Sequence, residues 1–381
     1  MNLNLSDDQQ ALQDTLRKFV GKEFSFGRRR ALAAEQATES TKATGFSPEA
    51  WQQLADLGVL ALPFEEIYGG LSGSALDTMV VMEELGRGLM IEPYLGTVIL
   101  SGGLIASLGS ASQKESLLAA IGGGELLVAL AHQEAGKTYD ALGLATAVGG
   151  DGDNLTLTGS KTQILFGAQS QKVLVSAKEG KGVSLFLIDS TAPGVTWHDQ
   201  KMPDGTRVAR LELSQVSVSA SARVGGKGAA GPALGRAFDV ANAAICAEAV
   251  GIIVTLIDVT SEYLKTRKQF GVTLGTFQAL KHRMVDMFVW SETARSATML
   301  ANLRVASGTA DEAHWACSAA KVQVSDAARF VGQQAIQLHG GMGVTEEMAV
   351  SHYFKRLTCI VALFGDADHH LGVVSANLLA A

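Results

Sequence analysis

Apolar residues recur at helical spacing from Ser6 to about Leu118. Ser6 and Gln9 form a capping box ahead of Leu12, Leu16 and Val20, which repeat every four residues. Ser47-Pro48 supplies an N-cap and a first-turn proline for a second helix, with Trp51, Leu54 and Leu57 expected on one face. Tyr68-Gly69-Gly70 interrupts the pattern, and Thr78 to Gly86 resumes it. From about Glu125 to Val224 the period becomes two: Leu155 and Leu157 alternate with Thr156 and Thr158, and Val173-Leu174-Val175 and Val183 to Ile188 are apolar β runs. Turn signals separate them at Gly150-Asp151-Gly152-Asp153, Pro193-Gly194 and Asp204-Gly205. After a glycine-rich link from Gly225 to Gly235, the spacing predicts one long helix from Arg236 to about Lys265. Further helices are expected from Thr276 to about Ala306, from Ala310 to about Leu338, and after Asp366. No internal repeat occurs.

Composition narrows this picture. A chain of 381 residues exceeds what one hydrophobic core usually serves. Apolar residues make up 47% and charged residues 18%, a buried globular balance. Six prolines against 42 glycines favour long helices in close contact. A net charge of -7 argues against a general nucleic-acid surface. No run of 18 or more apolar residues occurs, so no membrane span is expected. The start, Met1 to Asp8, lacks the basic and apolar regions of a signal peptide, and a cytoplasmic location is expected. Cys246, Cys317 and Cys359 lie far apart without a CxxC pair, and read as packed thiols, with no metal site implied. His369-His370 is a weak metal signal, because adjacent histidines on a helix do not share a face.

The strongest local chemistry is Arg267-Lys268-Gln269-Phe270-Gly271, followed by Phe277-Gln278 and Lys281-His282. It falls where the long helix ends and a glycine releases the chain. A guanidinium there can make paired hydrogen bonds to a pyrophosphate. Equally, Lys265, Arg267 and Lys268 can simply complement the helix C-terminal dipole. Gln337-Leu338-His339-Gly340-Gly341-Met342-Gly343 ends another helix, and its glycines permit either close backbone approach to a ligand or an ordinary helix stop.

These two segments resemble the RxQFGxxxxxxQ and QxxGGxG signatures of the acyl-CoA dehydrogenase family. Tyr68-Gly69-Gly70 and Glu83-Glu84-Leu85-Gly86-Arg87 match its N-terminal pattern, in the right order over nearly the full chain. The resemblance implies an α+β acyl-CoA dehydrogenase fold: an N-terminal helical domain (1–120), a central β-barrel-like domain (121–230) and a C-terminal four-helix bundle domain (231–381). It implies FAD as cofactor, an acyl-CoA thioester as substrate and an electron-transfer flavoprotein as acceptor. It places Arg267 on the pyrophosphate of a neighbouring subunit's FAD, with Gln269, Phe270, Gln278, Gln337, Gly340 and Gly341 nearby. In such enzymes a base removes the α-proton, the flavin N5 accepts the β-hydride, and the thioester carbonyl is polarised.

Several positions depart from the family pattern. The usual base is a Glu in a Tyr-Glu-Gly-Thr-like turn; the matching segment here is Phe364-Gly365-Asp366-Ala367-Asp368-His369-His370, with Gly365 at the Glu position. The family's alternative base position falls at Ala241-Asn242. Asp366, Asp368 and Glu248 are the substitutes to weigh, each also readable as a helix-cap or paired core acid. In the β domain, Ala129 to Gly136 lacks the hydroxyl of the family's Leu-Thr/Ser-Glu-Pro turn. Lys161-Thr162-Gln163-Ile164-Leu165-Phe166-Gly167 replaces its Lys-x-Trp-Ile-Thr/Ser-Asn-Gly segment. A flavin ring set there would lose its aromatic plate and meet Leu165 and Phe166 at its polar edge, each unpaired polar atom costing roughly 1–3 kcal/mol.

What the chain would offer a neighbour's flavin is kept, while its own flavin site is weakened. The leading expectation is the base-lacking small subunit of a heterotetrameric acyl-CoA dehydrogenase, with a larger paralogue as partner, resembling the small subunit of pimeloyl-CoA dehydrogenase. A self-sufficient homo-oligomer with a non-standard carboxylate base is the second reading. A non-catalytic scaffold binding CoA esters or a partner is the third.

Overall fold

The computed structural model describes residues 5–31, 44–136, 139 and 142–380; Met1 to Asn4, part of the stretch read for a signal peptide, lie outside them. Two compact units emerge: Met1–Arg30, Ala75–Met90 and Asn242–Ala381 form one, and Ala31–Ser74 with Ile91–Ala241 the other.

The second unit carries the sheet. Its strands are β1 (Val128–Ala131), β2 (Ala147–Asp151), β3 (Asn154–Leu165), β4 (Lys172–Glu179), β5 (Gly182–Asp189), β6 (Val195–Lys201), β7 (Arg207–Val218) and β8 (Arg223–Val224). The order is β6-β7-β3-β2-β4-β5-β8, with β1 parallel to β4. Inward residues of alternating strands make its core, among them Leu155, Leu157, Val173, Val175, Phe186, Leu211 and Leu213. The alternation slips once in β3. Gln163 takes a positive φ of 54°, and the register against β7 shifts between Lys161 and Ile164. A bulge of this kind lets both Lys161 and Ile164 face inward, and both are fully buried. Ser47 caps the helix Pro48–Asp56 as expected, and Trp51 and Leu54 are buried. Leu57 corrects the expected face: it is the C-cap residue and stands 42% exposed. Trp51 donates its indole N–H to the Gly124 carbonyl at 3.1 Å.

The first unit is helical: Asp7–Glu23, Ala75–Arg87, then Gln278–Ser307, Ala310–His339, Ala349–Ala362 and Ala367–Ala380. The Ser6 and Gln9 capping box forms as read, and Thr309 with Glu312 makes another ahead of Ala310–His339. The long helix runs Gly231–Thr266, five residues earlier than its pattern suggested, so Gly231 to Gly235 belong to it and not to a link. Pro232 in its first turn explains the early start, since a missing N–H costs nothing there. Gly86 and Gly251 mark where two helices pass backbone to backbone. A Cβ at Gly86 would overlap the Glu248 carbonyl, and one at Gly251 the Glu83 carbonyl. All three cysteines are free and buried.

The expectation about membrane-length stretches needs one correction. Gly231–Thr266 is long and apolar enough to cross a bilayer by length and composition, although 78% of its most apolar window is buried within the protein.

Candidate functional site: an exposed hairpin and a closed turn

The hairpin after the long helix is built by a short ladder. The Arg267 N–H closes the last helical turn on the Tyr263 carbonyl at 2.8 Å, and its carbonyl accepts from Leu274 N–H at 2.8 Å. Lys268–Gln269 (β9) then pairs with Val272–Thr273 (β10), Gln269 opposite Val272. Phe270 and Gly271, the two residues between, take φ of 55° and 80°. Positive φ at both central positions is what a two-residue type I′ hairpin requires, and glycine serves the second at no steric cost. Phe270 accepts the cost at the first, yet its ring is 89% exposed, touching Phe277 edge-on at 6.2 Å.

This hairpin holds out polar groups with few internal commitments. Arg267 is exposed, and among the described residues its guanidinium makes no hydrogen bond or ion pair. The same holds for the amides of Gln278 and Gln337, both exposed. Gln269 alone of the amides binds locally, to the Lys268 carbonyl at 2.8 Å. Gly340, with φ of 61°, and Gly341 have open space where a Cβ would project. An uncommitted guanidinium and an open glycine turn fit the phosphates and edge of a dinucleotide.

The C-terminal turn is different in kind. Phe364 and Gly365 have φ of 56° and 117°. A Cβ at Gly365 would stand 2.6 Å from His370 Nε2 and 2.7 Å from His369 Cδ2. His370 is itself fixed, Nε2 lying 3.2 Å from the Phe364 carbonyl and Nδ1 3.1 Å from Ser318 Oγ. Burial, then the Lys321 charge, brings its pKa down to about 3, so the ring is neutral. Beneath the turn, the buried Lys321 donates to the carbonyls of Ile360, Val361, Leu363 and Gly365, at 3.2, 3.3, 2.6 and 2.8 Å. Those acceptors end the helix Ala349–Ala362, so Lys321 is a cation at a helix C-terminus. Burial pulls its pKa down to about 8.

Two of the three substitute carboxylates are engaged, and the third is a surface residue. Glu248 lies in a buried two-point ion pair, Arg356 Nε donating to Oε1 at 2.5 Å and an Arg356 terminal nitrogen to Oε2 at 2.9 Å. Asp366 caps the last helix, its Oδ1 accepting from His369 N–H at 2.9 Å. Asp368 is exposed in the first turn of that helix. Ala241 is fully buried and carries no polar atom. Among the described residues no group of three or more His, Cys, Asp or Glu side chains could hold a metal ion.

In the β unit, the residues after β1 turn inward. The β1–β4 register pairs Ala131 with Val175, and its next step sets His132 beside Ser176, with Nδ1 2.9 Å from Oγ. Glu134 accepts from Ala145 and Thr146 N–H at 2.6 and 2.9 Å and from Lys161 Nζ at 2.8 Å. Burial alone would raise the Glu134 pKa, but Lys161 and these N–H bonds bring it down to about 2. Phe166 departs from the expected flavin-edge position. Its side chain is buried against Phe46, ring centroids 5.8 Å apart and nearly perpendicular. His132, Glu134 and Lys161 thus serve their own domain, and no aromatic plate stands at the exposed Gln163.

Sequence reasoning missed Arg356, Lys321 and the reach of His370 to Gly365. Only Lys321 left a trace, as a lone charge in a stretch of Ala316, Cys317, Ala320 and Val324 at core spacing.

Comparison with known proteins matches the chain to three family models: acyl-CoA dehydrogenase N-terminal domain over residues 6–125, middle domain over 129–217 and C-terminal domain over 232–379. A probable acyl-CoA dehydrogenase of Bacillus subtilis, YngJ, is 27% identical with both chains fully covered. The acyl-CoA dehydrogenase FadE27 of Mycobacterium tuberculosis is 29% identical over 81% of this chain and 82% of its own. The crystal structure of the ChsE4-ChsE5 complex from Mycobacterium tuberculosis superposes with a TM-score of 0.89 at 26% identity, covering both chains fully.

Proposed function

Since the chain belongs to the acyl-CoA dehydrogenase family of FAD-dependent oxidoreductases, we propose that it is the base-lacking small subunit of a heteromer, completing a larger paralogue's FAD site. The observation that carries this reading is the closed turn at Gly365, where two imidazoles occupy the space a glutamate side chain would enter. A family base must reach the α-proton of an acyl thioester, and the acids near this turn are a helix cap and a surface residue. Glu248 is held by Arg356. Removing its proton-accepting capacity from that pair would leave a buried charge unpaired, which costs roughly 3–5 kcal/mol.

The chemistry FAD would supply when bound is acceptance of the hydride from the acyl β-carbon. This chain's part is to bind and orient. Arg267 would hold the pyrophosphate with charge-assisted hydrogen bonds, while Gln269, Phe270, Gln278 and Gln337 border it and Gly340 and Gly341 admit its backbone contacts. The chain's own β unit fits the flavin ring poorly: His132, Glu134 and Lys161 are committed to one another and to their own strands, Phe166 is buried, and Gln163 offers no aromatic plate. Likeness to one chain of a two-protein complex supports a heteromer. A heterotetramer of three-domain subunits (1–120, 121–230, 231–381), a cytoplasmic location, an acyl-CoA substrate in β-oxidation and an electron-transfer flavoprotein as acceptor complete the proposal.

The test is to purify the chain alone and together with its larger paralogue. Alone, it should retain little FAD and reduce no acceptor with acyl-CoA; co-produced, it should gain both. High turnover by the homo-oligomer would overturn the proposal in favour of a self-sufficient enzyme.

A further inference from the structure

Two separated segments are assigned above to one FAD: the hairpin at Arg267 and the turn at Gly340-Gly341. They end different helices, 73 positions apart in sequence between Arg267 and Gly340, and nothing in either segment alone fixes their relation. Tyr263 and His339 join the two helix ends. The Tyr263 ring stacks on His339 with centroids 4.3 Å apart and planes 25° from parallel. The Tyr263 hydroxyl also donates to the His339 carbonyl at 3.3 Å. On one side, the Tyr263 carbonyl receives the Arg267 N–H that starts the hairpin. On the other, His339 is the residue directly before Gly340, and its Nδ1–H donates to the Ala335 carbonyl at 2.8 Å.

His339 is 2% exposed, and its Nε2 finds no hydrogen-bond partner among the described residues. A buried imidazole with one unmatched nitrogen is less stable than an apolar side chain of similar size would be. The interaction its ring does make is through its face, which meets Tyr263.

We infer that Tyr263, through its stack on His339, is a positioning residue that holds the Arg267 hairpin and the Gly340-Gly341 turn in one fixed relation toward FAD. The inference rests on the reading that these two segments serve a neighbouring subunit's cofactor. In this role Tyr263 sets where the guanidinium stands.

The experiment measures the FAD dissociation constant of the assembled, full-length enzyme by flavin fluorescence. Arg267→Ala should weaken FAD about 10- to 100-fold, the range for a charge-assisted hydrogen bond. Tyr263→Ala should weaken it about tenfold, as loss of an aromatic pair and one neutral hydrogen bond implies, whereas Tyr263→Phe should change it by less than about threefold. In the double variant Arg267→Ala/Tyr263→Ala the effects should add to less than their sum, because part of the Tyr263 effect acts through the Arg267 guanidinium. Tyr263→Ala binding FAD like the unaltered enzyme, or fully additive effects, overturns the inference and leaves the proposed function standing. No loss in Arg267→Ala overturns the proposed function and the inference with it. Should Tyr263→Ala fail to assemble, His339→Phe and His339→Ala decide the matter: the former should keep FAD affinity through its ring and the latter lose it, and equal affinities overturn the inference.

Discussion

A Cβ at residue 365 would begin in contact with two imidazoles, and the backbone there already sits at φ of 117°. Placing an L side chain at positive φ costs about 1–2 kcal/mol, and forcing it into filled space about 1–3 more. Gly365→Glu is thus expected to lower thermal stability by several degrees without conferring activity on the chain alone. A Gly365→Glu chain that oxidises acyl-CoA without its partner would show that the turn yields readily, contrary to this account. Glu248 teaches the complementary point. Its helix position made it a base to weigh, but Arg356, 108 residues away, claims both its oxygens. A carboxylate's partner at such separation leaves no local pattern, so its role could not be read from spacing.

Elements with local rules were legible in the sequence, and those set by long-range contacts were not. Capping boxes at Ser6 and the proline start at Pro48 depend on four adjacent residues, and both form as read. The period-two run of β3 was visible through Leu155 and Leu157, but its bulge at Gln163 and the inward Lys161 answer to β7 and Glu134. The helix Ala349–Ala362 escaped notice because no proline or glycine announces its ends. Of the candidate site, the helix end and the glycine turn after Arg267 were legible because they are local, while the β9–β10 pairing was not read. The closure of the other turn was not, since it depends on Lys321 and Ser318 from another helix. The Glu134–Lys161 pair also sets an acid limit. Its folded-state carboxyl has a pKa near 2 against an ordinary 4.5, so the unfolded chain binds the proton first. The stability it contributes is complete above pH 4.5 and is lost as pH falls from 4.5 towards 2. Glu134→Gln should accordingly lose less stability over that interval than the unaltered protein, read from thermal unfolding at each pH. Equal losses would show that the pair is not coupled to folding in this way.

For the whole molecule, the asymmetry between what it offers and what it lacks has a countable outcome. If the paralogue holds the flavin ring and this chain supplies only the outer contacts, an α₂β₂ assembly should contain one FAD per pair of unlike subunits. Absorbance of released flavin against protein concentration measures this, and one FAD on every subunit would contradict the division of labour. The uncommitted guanidinium of Arg267, standing on a hairpin exposed to solvent, carries a further consequence. A cofactor held by groups from two polypeptides obeys mass action in three components, so each subunit's hold on FAD depends on the concentration of the other. Under the proposed heteromer, dilution that separates the subunits would release the cofactor, and added FAD would draw them together. Flavin content would then be a gauge of assembly, and a chain expressed without its partner would be a binding half waiting at whatever concentration the cell keeps it.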